Sequence, residues 1–249
     1  MKINPNDAIA FFNRGAAYHA KGNYDRAVRD YDRAIKLDPN FAEPLNNRGL
    51  AYEKKGQFDR AIQDYNEAIR LHPNYAQAFI NRGNAYFSKL QYDRAVQDYD
   101  QAIQLNPNYS DAFASRGMAY SLKGEYDRAI HDYDRAIRLN PNDAQTFYNR
   151  GAIYGRKGQF DRAIQDYSEA IRLNPRDADA FKYRGIAKQK NGDIAGGNAD
   201  IAKARQLAKH QTKRVQLLLL VPLFVAQRVL QLAPTYKAPT RFLSSPPSA

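Results

Sequence analysis

The 249-residue sequence offers few side chains for covalent or metal chemistry. It has no cysteine, which removes a thiolate nucleophile, a Cys-ligated zinc site and any disulfide framework. The four histidines, His19, His72, His131 and His210, are scattered, and no two have the spacing that sets paired metal ligands on one helix face. No Ser-His-Asp set can be assembled, and no glycine-rich loop follows a strand to cradle a phosphate. We therefore expect no catalytic residues, no cofactor and no metal. What does recur is suited to ion pairing and amide hydrogen bonding: arginine and aspartate sixteen residues apart, and asparagine at intervals of 34.

Those recurrences belong to a repeat. Glycine returns every 34 residues at Gly15, Gly49, Gly83, Gly117, Gly151 and Gly185. With Ala8 as position 1 of the first unit, glycine is position 8 and Tyr18, Tyr52, Tyr86, Tyr120 and Tyr154 are position 11. Position 20 is Ala27, Ala61, Ala95, Ala129 and Ala163; position 24 is Tyr31, Tyr65, Tyr99, Tyr133 and Tyr167. Position 27 is Ala34, Ala68, Ala102, Ala136 and Ala170, and position 32 is Pro39, Pro73, Pro107, Pro141 and Pro175. Positions 4, 8 and 11 step by four and three, as do 20, 24 and 27, so each set is one helical stripe. Glycine and alanine opposite tyrosine and phenylalanine suit two helices crossing closely. Lys-Gly-x-aromatic between the helices and Pro-Asn between units are stops that leave no room for strands.

A 34-residue helix-turn-helix unit with this glycine, tyrosine, alanine and proline pattern resembles the tetratricopeptide repeat family. The resemblance implies an all-α fold, a right-handed superhelical solenoid of antiparallel helix pairs. The units run 8–41, 42–75, 76–109, 110–143 and 144–177, with 178–206 a degenerate sixth serving as a cap. That unit has Lys188 and Ile201 at the two tyrosine positions. Residues 1–7 match the end of a preceding unit, as expected either of a chain whose translation starts inside a longer ancestral array or of a fragment of a larger protein.

The family usually has leucine at position 7, whereas this chain has Arg14, Arg48, Arg82, Arg116, Arg150 and Arg184. Position 23 is aspartate in every unit, Asp30, Asp64, Asp98, Asp132, Asp166 and Asp200, so we expect an ion pair between the two helices of each unit. As a solvent-exposed pair each would contribute about 0.2–1 kcal/mol and set register more than stability. The lysine at position 14 (Lys21, Lys55, Lys89, Lys123, Lys157) is expected near a helix C-terminus, where it favours the dipole.

After residue 206 the period ends. Residues 207–233 are expected to form an apolar helix on the face of the sixth unit, and 234–249 a disordered tail. The run Leu217–Ala226 is too short to span a bilayer core of about 30 Å as a helix, so a membrane-spanning role is disfavoured. The net charge of +12 invites a nucleic-acid reading. Six of the basic residues lie in 207–249, which has no acid, and the remaining 32 nearly balance 26 acidic residues, so nucleic acid is not an expected partner. The N-terminus lacks a secretory pattern, and a cytoplasmic protein is expected.

In the family, ligands lie along a concave groove lined by first helices, against positions 2, 5, 6, 9, 12 and 13. Position 6 here is Asn13, Asn47, Asn81, Ser115 and Asn149, then Tyr183 in the cap. The amides resemble the asparagine ladder by which some family members hold a peptide backbone. Around it lie Phe12, Asn46 and Tyr148 at position 5 and Asn84 at position 9, with Met118 and Ala152 as further apolar members. Family members that grip acidic chaperone C-termini need lysines at positions 2 and 5. Position 2 here is Ile9, Glu43, Gln77, Asp111, Gln145 and Asp179, and that function is not carried over. The resemblance thus implies a scaffold binding a protein or peptide ligand. The alternative is a structural array that self-associates, or docks at a membrane, through its N-terminal face or apolar tail.

Overall fold

The computed structural model describes residues 4–209. The helices are α1 (Ala8–Ala20), α2 (Tyr24–Leu37), α3 (Ala42–Lys54), α4 (Phe58–Leu71), α5 (Ala76–Ser88), α6 (Tyr92–Leu105), α7 (Ser110–Leu122), α8 (Tyr126–Leu139), α9 (Ala144–Arg156), α10 (Phe160–Leu173) and α11 (Ala178–Lys190). A further helix, α12, occupies 194–209, and there is no strand among the described residues. Of the expected apolar helix 207–233, residues 207–209 continue α12, and the remainder, with the tail 234–249, lies outside the described residues.

Each odd helix ends in the same way. In the first unit the Gly22 and Asn23 amides donate to the His19 and Tyr18 carbonyls, 2.9 Å each, which needs a left-handed residue at Gly22 (φ 73°). The third unit has Leu90 there instead, held at φ 59°. Each even helix from α2 to α10 buries the same four positions, in α4 Ala61, Asp64, Tyr65 and Ala68. The position-24 rings sit against the position-8 glycines so closely that a methyl group on Gly83 would lie 2.7 Å from the Tyr99 ring. Each such buried ring contributes about 1.5–3 kcal/mol. The sixth unit solves the crossing differently: Ile201 replaces tyrosine, and Gly197 lets α12 approach the Gly185 backbone.

Position 7 arginine and position 23 aspartate pair in all six units, Nε and Nη2 donating to the two carboxylate oxygens at 2.6–2.9 Å. The ion pair expected from the sequence is present, but it is not an exposed one, because the aspartates are buried. Burial pushes the Asp64, Asp98 and Asp166 carboxyls up while the arginine fork pulls them back. A pair buried on the acid side costs desolvation to form and is expensive to break from one side only.

Between units the same arginine reaches back through Nη1 to position 25 of the preceding unit: Asp32 from Arg48 (2.6 Å), Asn66 from Arg82 (2.7 Å), Asp100 from Arg116 and Asp134 from Arg150 (2.5 Å each). The position-14 lysines do more than face a helix dipole. Lys55, Lys89, Lys123 and Lys157 pair with Asp25, Asp59, Asp93 and Asp127 of the preceding unit, and Asn191 takes Asp161 in the sixth. Small residues fill the seam between these pairs, at position 3 (Ala78, Ala112, Ala180) and position 10 (Ala51, Ala85, Ala119), all fully buried.

Successive odd helices touch one another, α1 with α3 and so on to α11, whereas no two of the even helices α2 to α10 do. Elements that converge lie on the inside of a curve, so the odd helices pave the inner wall.

Candidate functional site

The inner wall divides into three stretches. At its N-terminal end Asn13 is exposed, and the Phe12 ring packs against Tyr31 and Phe41 at 6.1 and 5.2 Å. The Tyr31 hydroxyl is pushed up to about 12 by burial, and a hydrogen bond with Asn47 opposes that rise.

In the middle, the amides bond to one another. Tyr109 donates to Gln77, Gln77 Nε2 to Asn81 Oδ1 (2.9 Å), Asn81 Nδ2 to Asn46 Oδ1 (2.8 Å) and Asn46 Nδ2 to Asn47 Oδ1 (3.2 Å). Asn46 and Asn81 are buried in this chain. Asn84 accepts from the Tyr99 hydroxyl at 2.7 Å, and Ser115 interacts with that hydroxyl. Each carboxamide has several hydrogen-bonding sites, and here many are turned toward protein. Glu53, at position 12 of the second unit, is held in the same region. Burial pushes its carboxyl up to about 7, although Tyr65 and Lys54 pull it down. Neither Glu53 Oε1 nor the Tyr65 hydroxyl makes a well-formed hydrogen bond.

Toward the C-terminal end the wall opens into a groove of about 420 Å³ across units four to six. Its floor is Tyr133 and Tyr167 of the even helices, and its sides include Tyr148, Asn149, Met118, Leu122 and Tyr183 of the odd ones. Tyr148, Tyr167 and Tyr183 form a ring cluster with centroids 5.6–6.3 Å apart. Asn149 lies between Gln145, which donates to its Oδ1 at 2.9 Å, and the Tyr133 hydroxyl. Met118, Leu122 and Tyr183 are exposed large apolar side chains.

Of the residues singled out from the sequence, the structure joins Asn46, Asn47 and Asn81 in one chain of hydrogen bonds. It places Tyr148 and Asn149 in the groove, Asn84 and Ser115 around one tyrosine hydroxyl, and Phe12 beside Tyr31, whose hydroxyl meets Asn47, with Asn13 exposed next to it. Gln77, Glu53 and Leu122 stand at positions 2, 12 and 13, among the groove positions the resemblance implies, but were not singled out as site residues. The signal for the groove was present in Tyr183, an aromatic where the other units have a small polar residue. Among the described residues no group of three His, Asp or Glu could hold a metal ion, and no helix is long and apolar enough to cross a membrane.

An unbroken file of helix pairs with an aromatic hollow on its inner wall defines a helical-repeat scaffold. Family models agree on which kind. Models described as TPR repeat match residues 17–56 and 117–158, and models described as tetratricopeptide repeat match 42–75, 76–109, 144–177, 1–29 and 98–131. Together they span 1–177, and the chain belongs to the tetratricopeptide repeat family.

No curated protein matches the chain in sequence. Among solved structures it is similar to MamA, at 30% identity over 66% of this chain and 96% of that one, with a TM-score of 0.60. PilF of Pseudomonas aeruginosa shares the fold at 18% identity, over 84% of this chain and 97% of that one, with a TM-score of 0.73. YrrB, described as a TPR protein with an unusual peptide-binding site, shares it at 24% identity, over 74% of this chain and 97% of that one, with a TM-score of 0.60.

Proposed function

We propose that this protein is an interaction scaffold that holds a partner peptide along its inner wall, anchored by an apolar side chain in the groove between units four and six. The observation that carries the reading is the coincidence, in one place, of exposed apolar side chains, three clustered tyrosine rings and an amide at the wall. Apolar hollows with few, well-placed polar groups are the usual form of a recognition site. A buried Leu- or Phe-sized anchor contributes about 1.5–3 kcal/mol, and a few backbone hydrogen bonds about 1 kcal/mol each. After the cost of ordering a peptide, the sum corresponds to micromolar affinity. Arg156 at the rim favours an acidic residue beside the anchor. The description of YrrB, a relative in fold, as a peptide binder supports the same use of the array.

Selection of peptides from a random display library on the intact protein tests this. Selected peptides should share an apolar anchor, bind in the micromolar range by fluorescence anisotropy, and lose about tenfold or more in affinity to Leu122→Lys. Leu122 is exposed, so its replacement leaves the core intact. Equal affinity for the variant would remove the groove as the contact surface, and undiminished binding to Asn149→Ala would remove the amide from the recognition.

A further inference from the structure

The seam between adjacent units has a recurring charge pattern. On the odd helix it is a stripe at positions 3, 7, 10 and 14, which in α5 and α7 is alanine, arginine, alanine and lysine; α3 has Pro44 at position 3, α9 has Thr146 and Ile153 at positions 3 and 10, and the sixth unit has Asn191 at position 14. On the preceding even helix the facing stripe is at positions 18, 21, 25 and 28. In α8 these are Asp127, Ile130, Asp134 and Ile137. The two run antiparallel, since Asp127 pairs with Lys157 and Asp134 with Arg150.

α1 carries the odd-helix stripe in full as Ala10, Arg14, Ala17 and Lys21, yet no described helix covers it. Ala17 is exposed where Ala51, Ala85 and Ala119 are fully buried. The Arg14 side chain is 42% exposed against 17–20% for its five counterparts, and it lacks the second acceptor that each of them reaches. Lys21 is exposed, without the carboxylate partner of Lys55, Lys89, Lys123 and Lys157.

Two occupants are excluded by charge. A second copy stacked end to end would present the outer stripe of α12, which is Ala195, Asn198, Ala202 and Arg205, with no carboxylate and one cation. Residues 210–249 of the same chain contain no aspartate or glutamate. We infer that the outer face of α1 is a docking site for an amphipathic helix of another polypeptide segment, carrying two carboxylates seven residues apart with branched aliphatic residues three positions after each. The nearer carboxylate in sequence meets Lys21, the later one meets Arg14, and the aliphatic side chains lie over Ala10 and Ala17. This face is separate from the inner wall, so the peptide proposed above and the docked helix bind independently.

The probe is a fluorescent synthetic peptide of residues 124–142, stapled on its solvent side to hold it helical, titrated into the full-length protein at low ionic strength. The expected result is saturable binding that weakens with salt. It should fall by about tenfold or more for Ala17→Arg and for Lys21→Glu, while Leu122→Lys leaves it unchanged. The peptide carrying Asp127→Lys should bind Lys21→Glu better than it binds the wild type, a rescue that a misfolded variant could not give. Absence of saturable binding, indifference to Ala17→Arg, or failure of the charge exchange would each overturn the inference. A loss confined to Leu122→Lys would place the helix in the inner groove and overturn it too.

Discussion

Glu53→Gln is expected to make the array more stable at neutral pH and to remove part of its pH dependence. Glu53 sits over Tyr65, which is fully buried, and burial raises its carboxyl from the ordinary 4.5 to about 7. A carboxyl with a higher folded-state than unfolded-state pKa keeps its proton longer when folded. Between about pH 4.5 and about pH 7 the folded chain therefore binds more protons at this site, and stability falls as pH rises through that window. At about 1.4 kcal/mol per pH unit the full shift would cost about 3 kcal/mol; partial access to solvent reduces this to about 1–2 kcal/mol. His19 acts in the opposite sense, because burial, helped by Lys54, lowers its pKa, so stability at that site rises with pH. Both proteins contain His19, and the difference between them isolates Glu53. Urea unfolding at pH 5 and pH 8 should show the variant gaining about 1–2 kcal/mol on the wild type between the two. An array need not unfold in one step, so amide exchange in α3 and α4 provides the same comparison locally. Parallel stability curves, within about 0.3 kcal/mol, would refute the burial of a protonated carboxyl here.

The remaining predictions concern the frame. Gly83→Ala sets a methyl group 2.7 Å from the Tyr99 ring and should cost about 1–3 kcal/mol by overpacking; unchanged urea stability would mean that the α5–α6 crossing is looser than described. Leu90→Gly relieves a left-handed leucine in the one turn where the other units have glycine. It should raise thermal stability by about 0.5–1 kcal/mol after the entropy cost of glycine, and a fall would show that Leu90 packs in a way its exposure hides. Arg82→Met strands the buried Asp98 carboxylate and should cost about 2–4 kcal/mol at pH 7, whereas the double variant Arg82→Met/Asp98→Leu should recover much of that. Calorimetry on the single and double variants decides it, and equal losses in both would mean that the pair itself carries the stability.

Periodicity exposed the frame because each unit faces the same neighbours, so a residue required once is required at every interval of 34. The glycine opposite tyrosine and the arginine with its aspartate sixteen residues on are therefore legible in the sequence. The lysine seam repeats just as strictly, but its partner lies thirty residues back, in another unit. A search within the unit assigns lysine to the helix end alone and leaves the position-18 aspartates unexplained. The inner wall was harder to read because what matters there does not repeat. Gln77 and Tyr109 enter the amide chain through one unit only, and whether Asn81 faces a ligand or Asn46 depends on how closely α3 and α5 approach. The groove, likewise, follows from Tyr183 standing where other units place asparagine or serine, so that the degenerate last unit supplies the third ring of the cluster. The two ends of the array then differ in kind. The sixth unit has lost the carboxylates that would continue the seam, while the first retains both cations that would extend it. The charge pattern of the seam thus stops at the sixth unit, whereas α1 keeps the two cations that the docked helix proposed above would meet.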